Sequence, residues 1–376
     1  MKGLSHIKNS NGKRRGIALI LVLLVVVVLV TLAGGFAANM KVEAVLARNM
    51  ASERDLDWVC RSGVEMARYL IGQQMSVALE PYDSLNQRWA GGPGGAGSET
   101  AVFSGISLTP IEGQTSLMDF LSPDEDIGVL ATVEIVDMER RFNLNRVADR
   151  LYGRRFAMEK ALEFSGCPNV EVGGIVDSVW DWFDTDSLSG LNGAESPQYQ
   201  DMGYVAKNGP FDDLSELLLI KGMRPEWYYG MKGNMEKTLR GLGPLQVDEE
   251  FRPGMTELFS TVSSGYLNIN TASEYTLQLL ESIDRPLAQA IIRVRSGADE
   301  IDGTADDQPF RAVAELTNVP GFTRGMILDA QNLFSVRSTV FEVKVTAEKD
   351  GRRRVYVALF YRVSPTDVRV LHSHWN

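Results

Sequence analysis

Histidine is almost missing from this 376-residue chain: His6 stands near the start, and His372 and His374 lie close to the end. No interior histidine remains for a Ser-His-Asp or Cys-His nucleophile, and the terminal pair, alternating along a strand-like run, reads as exposed strand rather than as metal ligands. Cysteine is nearly as scarce. Cys60 and Cys167 exclude a disulfide-built scaffold; they would supply one bridge in an oxidising compartment, and their separation in sequence leaves their proximity open. Phosphate loops and a nucleophile elbow are lacking as well. Paired carboxylates such as Asp181 and Asp184 would be the remaining acid and base of a glycosidase-like site. Three positions apart on a helix, however, they share one side and suit a bound cation better than catalysis across a substrate. The chain reads as a non-enzyme.

Basic charge is thin. Against 49 Asp and Glu there are 38 Lys and Arg, for a formal net charge of -11. Removing the leader cations Lys2, Lys8, Lys13, Arg14 and Arg15 leaves 33 against the 49 acids. Affinity for nucleic acid comes largely from cationic contacts that release counterions, so this balance disfavours nucleic acid as a partner and suits an acidic ectodomain. Charge of either sign is absent from Ile17 to Ala38, where Leu, Val and Ile dominate. That run is long enough for a helix of roughly 30 Å, the thickness of a bilayer core. The basic residues ahead of it hold the leader in the cytoplasm and send everything after Asn39 to the other side.

The processing of this segment depends on where it is cut. Gly34-Gly35-Phe36-Ala37-Ala38-Asn39 would serve as an ordinary signal cleavage site, and an uncleaved signal anchor is a further reading. The junction Lys13-Arg14-Arg15-Gly16-Ile17 instead resembles the class III leader of type IV prepilins and type II secretion pseudopilins, which is cut after a glycine preceded by basic residues. Cleavage between Gly16 and Ile17 would make Leu21 the fifth mature residue, where most of that family carries glutamate. The departure is similar to one subtype, the K subunit of type II secretion. In the family that glutamate is thought to neutralise a neighbour's N-terminal ammonium; a subunit with none above it would bury a lone carboxylate at a cost.

Beyond the membrane run, apolar spacing through Val42, Val45, Leu46, Leu56, Val59, Val64, Ala67 and Leu70 predicts one helix from Ile17 to about Ile71. A glycine-rich loop, Gly91 to Gly97, follows. Strand patterning appears at Val129–Asp137 and at the end of the chain, at Thr339–Ala347, Arg353–Arg362 and Asp367–His372, with a turn at Glu348-Lys349-Asp350-Gly351. Between these lies a helical stretch with an internal repeat. Phe142-Asn143-Leu144-Asn145 is echoed by Leu267-Asn268-Ile269-Asn270, and Phe211-Asp212-Asp213-Leu214-Ser215-Glu216-Leu217 by Phe310-Arg311-Ala312-Val313-Ala314-Glu315-Leu316. Each asparagine pair is expected to cap a helix start, and each later helix to stop at a glycine turn.

These units look like SAM-like helix-hairpin-helix modules. Their turns, Ile283-Asp284-Arg285-Pro286 and Pro320-Gly321-Phe322-Thr323, lack the double glycine that presents amides to phosphate. The expected fold class is therefore α+β: a pilin-like long N-terminal helix with an antiparallel sheet, carrying an inserted all-α domain. The boundaries are a leader over 1–16, the helix over 17–72, the first pilin-like part over 73–146, the helical domain with two repeat units over 147–333, and the closing strands over 334–376.

Asp181-Trp182-Phe183-Asp184-Thr185-Asp186, with Gly193-Ala194-Glu195 after it, resembles the K-subunit motif, and membership implies bound calcium. Closely spaced carboxylates and loop carbonyls supply the oxygens a hard cation needs, which makes Asp181, Asp184, Asp186 and Glu195 the candidate ligands. The spacing is not that of an EF-hand. Trp180 and Trp182 read as core rather than as sugar-stacking surfaces. A second acidic loop, Asp299 to Asp307, offers Asp302, Asp306 and Asp307 either as another cation site or as a solvated loop.

The resemblance to the K-subunit family of minor pseudopilins runs from the leader to the last strands. It implies cleavage and methylation by the prepilin peptidase, assembly with minor pseudopilins I and J, and a place at the tip of the major pseudopilin filament. It also implies a single-pass inner-membrane protein with most of its mass periplasmic. A type IV pilus minor pilin or tip adhesin, and a membrane-anchored DNA-binding hairpin protein, are the alternatives.

Overall fold

The computed structural model describes residues 12–92, 101–107, 129–148, 155–231, 251–326, 332–349 and 351–376. The first eleven leader residues, much of the glycine-rich loop and Asp350 of the expected turn lie outside these.

Helix α1 runs without a break over Gly12–Gln74, longer at both ends than the apolar pattern predicts. The chain divides into two compact units, one ending at Trp58 and one spanning Val59–Asn376. In the first unit the described helix is exposed along its apolar run, and it is long and apolar enough to cross a membrane once. In the second unit the helix buries Val59, Cys60, Val64, Ala67 and Ile71, the i, i+3, i+4 stripe expected of a helix lying on a sheet.

That sheet has the order β1-β2-β9-β10-β11, all antiparallel: β1 Ala101–Ser107, β2 Leu130–Asp137, β9 Val340–Lys349, β10 Arg352–Ser364 and β11 Asp367–Trp375. Alternation places Ala131, Val133 and Ile135 of β2, and Val343, Val345 and Ala347 of β9, in the core. Gly63 lets α1 approach closely, because a Cβ there would lie 2.8 Å from a Val345 methyl. Arg68 Nε donates to Val368 O at 2.7 Å, tying the helix to β11 as well. His372 and His374 are exposed on that strand.

Between β2 and β9 sits the helical body. Among the described residues its helices are α2 Leu144–Ala148, α3 Arg155–Phe164, α4 Asn169–Phe183, α5 Ser196–Tyr199, α6 Pro225–Tyr229, α7 Met255–Leu258, α8 Glu274–Leu277 and α9 Arg285–Arg295. Its edges differ from the 147–333 expected. Phe142–Asn143 (β3) pair in parallel with Phe259–Ser260 (β6), and Leu267–Asn268 (β7) with Phe334–Ser335 (β8), so both end segments belong to the body. Helical periodicity carries no mark of these two-residue strands, which exist only through their distant partners. Two further short strands, Gly230–Met231 (β4) and Arg252–Pro253 (β5), close an antiparallel pair. Cys60 lies against the sheet and Cys167 in the helical body, both buried and not bonded to each other, so the single bridge allowed by composition is not formed. Burial pushes the Cys167 thiol up to about 11.

Candidate functional site

The repeat has a physical basis in the second asparagine of each motif. Asn145 Nδ2 donates to Phe211 O at 3.0 Å and its Oδ1 accepts Phe211 N–H at 2.7 Å. Asn270 does the same to Phe310, at 2.9 and 2.8 Å. Each asparagine thus clasps the phenylalanine that opens the next half of its unit. Only the first of each pair turns the chain locally: Asn143 Oδ1 accepts Asn145 N–H at 3.0 Å, and Asn268 Oδ1 accepts Asn270 N–H at 2.9 Å. The helix start expected at Asn270 belongs instead to Ser273, whose hydroxyl accepts Thr276 N–H at 3.1 Å. The Phe-x-x-hydrophobic-x-Glu-Leu segments form 3-10 turns, Leu214–Leu219 and Val313–Asn318, rather than α-helices. Their glutamates accept from the backbone at the turn entrance, and each segment is followed by a glycine in the left-handed region, Gly222 at φ 90° and Gly321 at φ 92°.

In the first copy of the repeat, α4 leads into the acidic loop. Val172, Ile175, Val176, Val179 and Trp182 form its buried face, and Asp181 is carried inward with them, 0% exposed. The Asp181 carboxylate accepts Gly190 N–H at 3.1 and 2.9 Å, and a Cβ on Gly193 would fall 1.9 Å from its Oδ2. Asp181 therefore anchors the loop that folds over it. At the end of α4, Asp184 comes together with Asp186 and Glu195, one oxygen of each lying within 4.8 Å of the others. Glu195 is 2% exposed at the start of α5, and both of its carboxylate oxygens are buried outside hydrogen-bond geometry. Burial, then Asp181, then Asp184 hold its carboxyl above the ordinary range, with the nearby Ser196 N–H and Asn208 amide offsetting part of this.

Asn208, which the sequence pattern does not single out, completes the arrangement. Its amide nitrogen donates to Asp186 O, its backbone is held at φ 50°, and its Oδ1 is buried without a hydrogen-bond partner. Three convergent carboxylates and a buried amide oxygen are the donor set of a hard cation such as calcium, and the residues fit that ion. Trp182 packs edge-on against Tyr199 with ring centroids 5.4 Å apart, while Trp180 is half-buried beneath the Arg155 guanidinium.

The second acidic loop is differently used. Asp302 makes an ion pair with the buried Arg295 at 2.6 Å. Asp306 accepts from Thr304 Oγ1 at 2.7 Å and from Ala298 N–H at 2.7 Å, which brings its carboxyl down to about 2. Asp307 accepts Gly303 N–H at 2.8 Å and Thr304 N–H at 3.2 Å. These carboxylates stabilise their own loop, and Arg295 already supplies a cation there. At the start of α9, Asp284 accepts Leu287 N–H at 3.0 Å, which puts a carboxylate where a hairpin module would present its amides to phosphate.

A long apolar N-terminal helix, an antiparallel sheet against its second half and a helical body set between the strands together make an α+β fold with an inserted helical part. Residues 140–233, the span that holds the acidic site, match the family model described as Type II secretion system (T2SS), protein K. Over 230 residues the chain is 27% identical to Type II secretion system protein K of Klebsiella pneumoniae, covering 58% of this chain and 61% of that protein, somewhat under two thirds of the relative's length. Among solved structures, it is similar to a chain in the GspK-GspI-GspJ complex from the enterotoxigenic Escherichia coli Type 2 Secretion System. The TM-score is 0.59 at 16% identity, over 88% of this chain and 99% of that one. The chain is thus similar to type II secretion system protein K in sequence over part of its length, and to a chain of that solved complex in fold.

Proposed function

We propose that this chain is a minor pseudopilin, cut after Gly16 by a prepilin peptidase and methylated at Ile17, that forms the tip of a type II secretion pseudopilus with subunits I and J. The observation that carries this reading is the continuity of α1. The uncharged run that begins directly after Lys13-Arg14-Arg15-Gly16 continues as one helix into the sheet-bearing unit, so cleavage at that point leaves the membrane helix on the mature protein. The protein is read as crossing the inner membrane once, with the sheet and helical body in the periplasm. Its part in secretion is steric and adhesive: a body as large as the inserted domain obstructs packing within a filament and is accommodated at its end. Leu21 suits that position, having no carboxylate to pair with a subunit above. Calcium is proposed as the resident ion of the first acidic loop, held by Asp184, Asp186, Glu195 and Asn208, where it would neutralise carboxylates the fold has brought together around the buried Glu195.

N-terminal sequencing of the membrane-extracted protein, expressed with and without a prepilin peptidase, tests the reading. A peptidase-dependent start at Ile17 followed by co-purification with I and J supports it. A start at Met1, or one beyond Ala38, overturns it.

A further inference from the structure

The helical body is joined to the sheet by charged groups sealed from water. Asp83, Asp137 and Arg362 are each 2% exposed and Glu139 is 0% exposed. They come from the segment after α1, the end of β2, β10 and the 3-10 turn Met138–Arg140, respectively. Arg362 is committed to Asp83, to Ile71 O at 3.0 Å and to Ser338 O at 2.6 Å. Asp137 gathers the junction: it accepts from Glu139 N–H at 2.8 Å, Thr271 Oγ1 at 2.6 Å, Ser338 Oγ at 2.6 Å and Asn268 Nδ2 at 3.2 Å. Glu139 accepts from Thr339 N–H at 2.8 Å and Thr339 Oγ1 at 2.6 Å. Asn268 and Thr271 belong to the second asparagine motif. At the matching place in the first copy of the repeat, Asn143 turns its amide to Ser263 O, and Arg146 stands where Thr271 does. One copy of the repeat has thus been turned toward the sheet. Ionising both Asp137 and Glu139 beside Asp83 would set three carboxylates in one sealed cluster, a cost that burial and their mutual repulsion raise.

We propose that this junction is a proton-held lock, in which a proton kept on the Asp137–Glu139 pair clamps the helical body to the sheet and its release to solvent loosens that clamp.

The charged groups about the pair are Asp83 and Arg362, with Arg140 and Arg141 flanking it in the chain, while the helical body contributes the neutral Asn268, Thr271 and Ser264. Burial, then the Asp137 charge, push the Glu139 carboxyl from 4.5 up to about 7, against the pull of Thr339 and Ser264. Burial pushes Asp137 upward too, opposed by its hydroxyl and amide donors. An acid raised in the folded state contributes fully below its unfolded value and loses that contribution as pH rises through the folded one, so the lock is tight in mild acid and slack in mild alkali.

Amide hydrogen exchange of the full-length protein in detergent micelles tests this at about pH 6 and about pH 8, corrected for intrinsic rates and read in peptides spanning 267–271 and 335–339. Protection should fall about tenfold at the higher pH, from a group titrating near 7. Glu139→Gln should hold it near the low-pH level at both. Asp137→Asn serves as the second variant if the first does not fold. Equal protection of the wild-type protein at both values overturns the proposal, as does a pH dependence unchanged in either folded variant.

Discussion

Asn270 shows how much a single side chain carries. Its amide pairs with both backbone groups of Phe310 in a buried position, so Asn270→Ala leaves an N–H and a C=O unsatisfied at once. We expect a loss of about 2–4 kcal/mol in denaturant unfolding. Asn145→Ala should cost less, since Asn145 is only half-buried and water can reach its partners. Glu195 works in the opposite sense, as a buried carboxylate set beside the charges of Asp181 and Asp184. Calcium added to metal-stripped full-length protein should raise the melting temperature by several degrees, since free ion at 100-fold its dissociation constant stabilises by about 2.7 kcal/mol. Glu195→Gln should raise the melting temperature of the metal-free protein and remove most of the calcium response. An unchanged melting curve for the stripped wild type would rule out the ion.

At the scale of elements, the contact of α1 with the sheet is limited by Gly63. A side chain there would meet Val345 at 2.8 Å and Val133 at 3.3 Å, both β-branched residues held in strands. Replacing a helical glycine by a better helix former gains about 1 kcal/mol, whereas overpacking a stiff core costs about 1–3 kcal/mol and more for a large side chain. Gly63→Leu should therefore destabilise the protein by about 2 kcal/mol net in chemical denaturation, despite its gain in propensity. The sheet's long strands were readable because their alternation is local: Val129–Asp137, Thr339–Ala347 and Arg353–Arg362 each fall within a strand or a residue of its end. The pattern of the 3-10 turns predicts α-helix because periodicity over six residues does not separate a three-residue from a 3.6-residue repeat.

For the whole molecule, the sheet and helical body form one compact unit from Val59 onward, with the buried lock at their junction. Global stability should accordingly decline as pH rises from about 5 to about 8. The Glu139 shift from 4.5 to about 7 corresponds to a loss on the order of 3 kcal/mol, which pH-dependent unfolding would measure. The sequence alone was enough for the long apolar N-terminal helix, the acidic net charge and the tandem units, because these rest on composition, periodicity and short-range spacing. It left unsettled which acids meet. Asp184, Asp186 and Glu195 converge only because Gly190 and Gly193 let the loop fold over Asp181, and Asn208 joins them from a segment with no motif of its own. The lock was equally hidden, since Asp83, Asp137, Thr271, Ser338 and Arg362 are far apart in the chain and become neighbours only when helix, sheet and helical body pack. Local pattern records what each segment buries, whereas the partners of buried charges are chosen by tertiary packing, where an unpaired charge costs most.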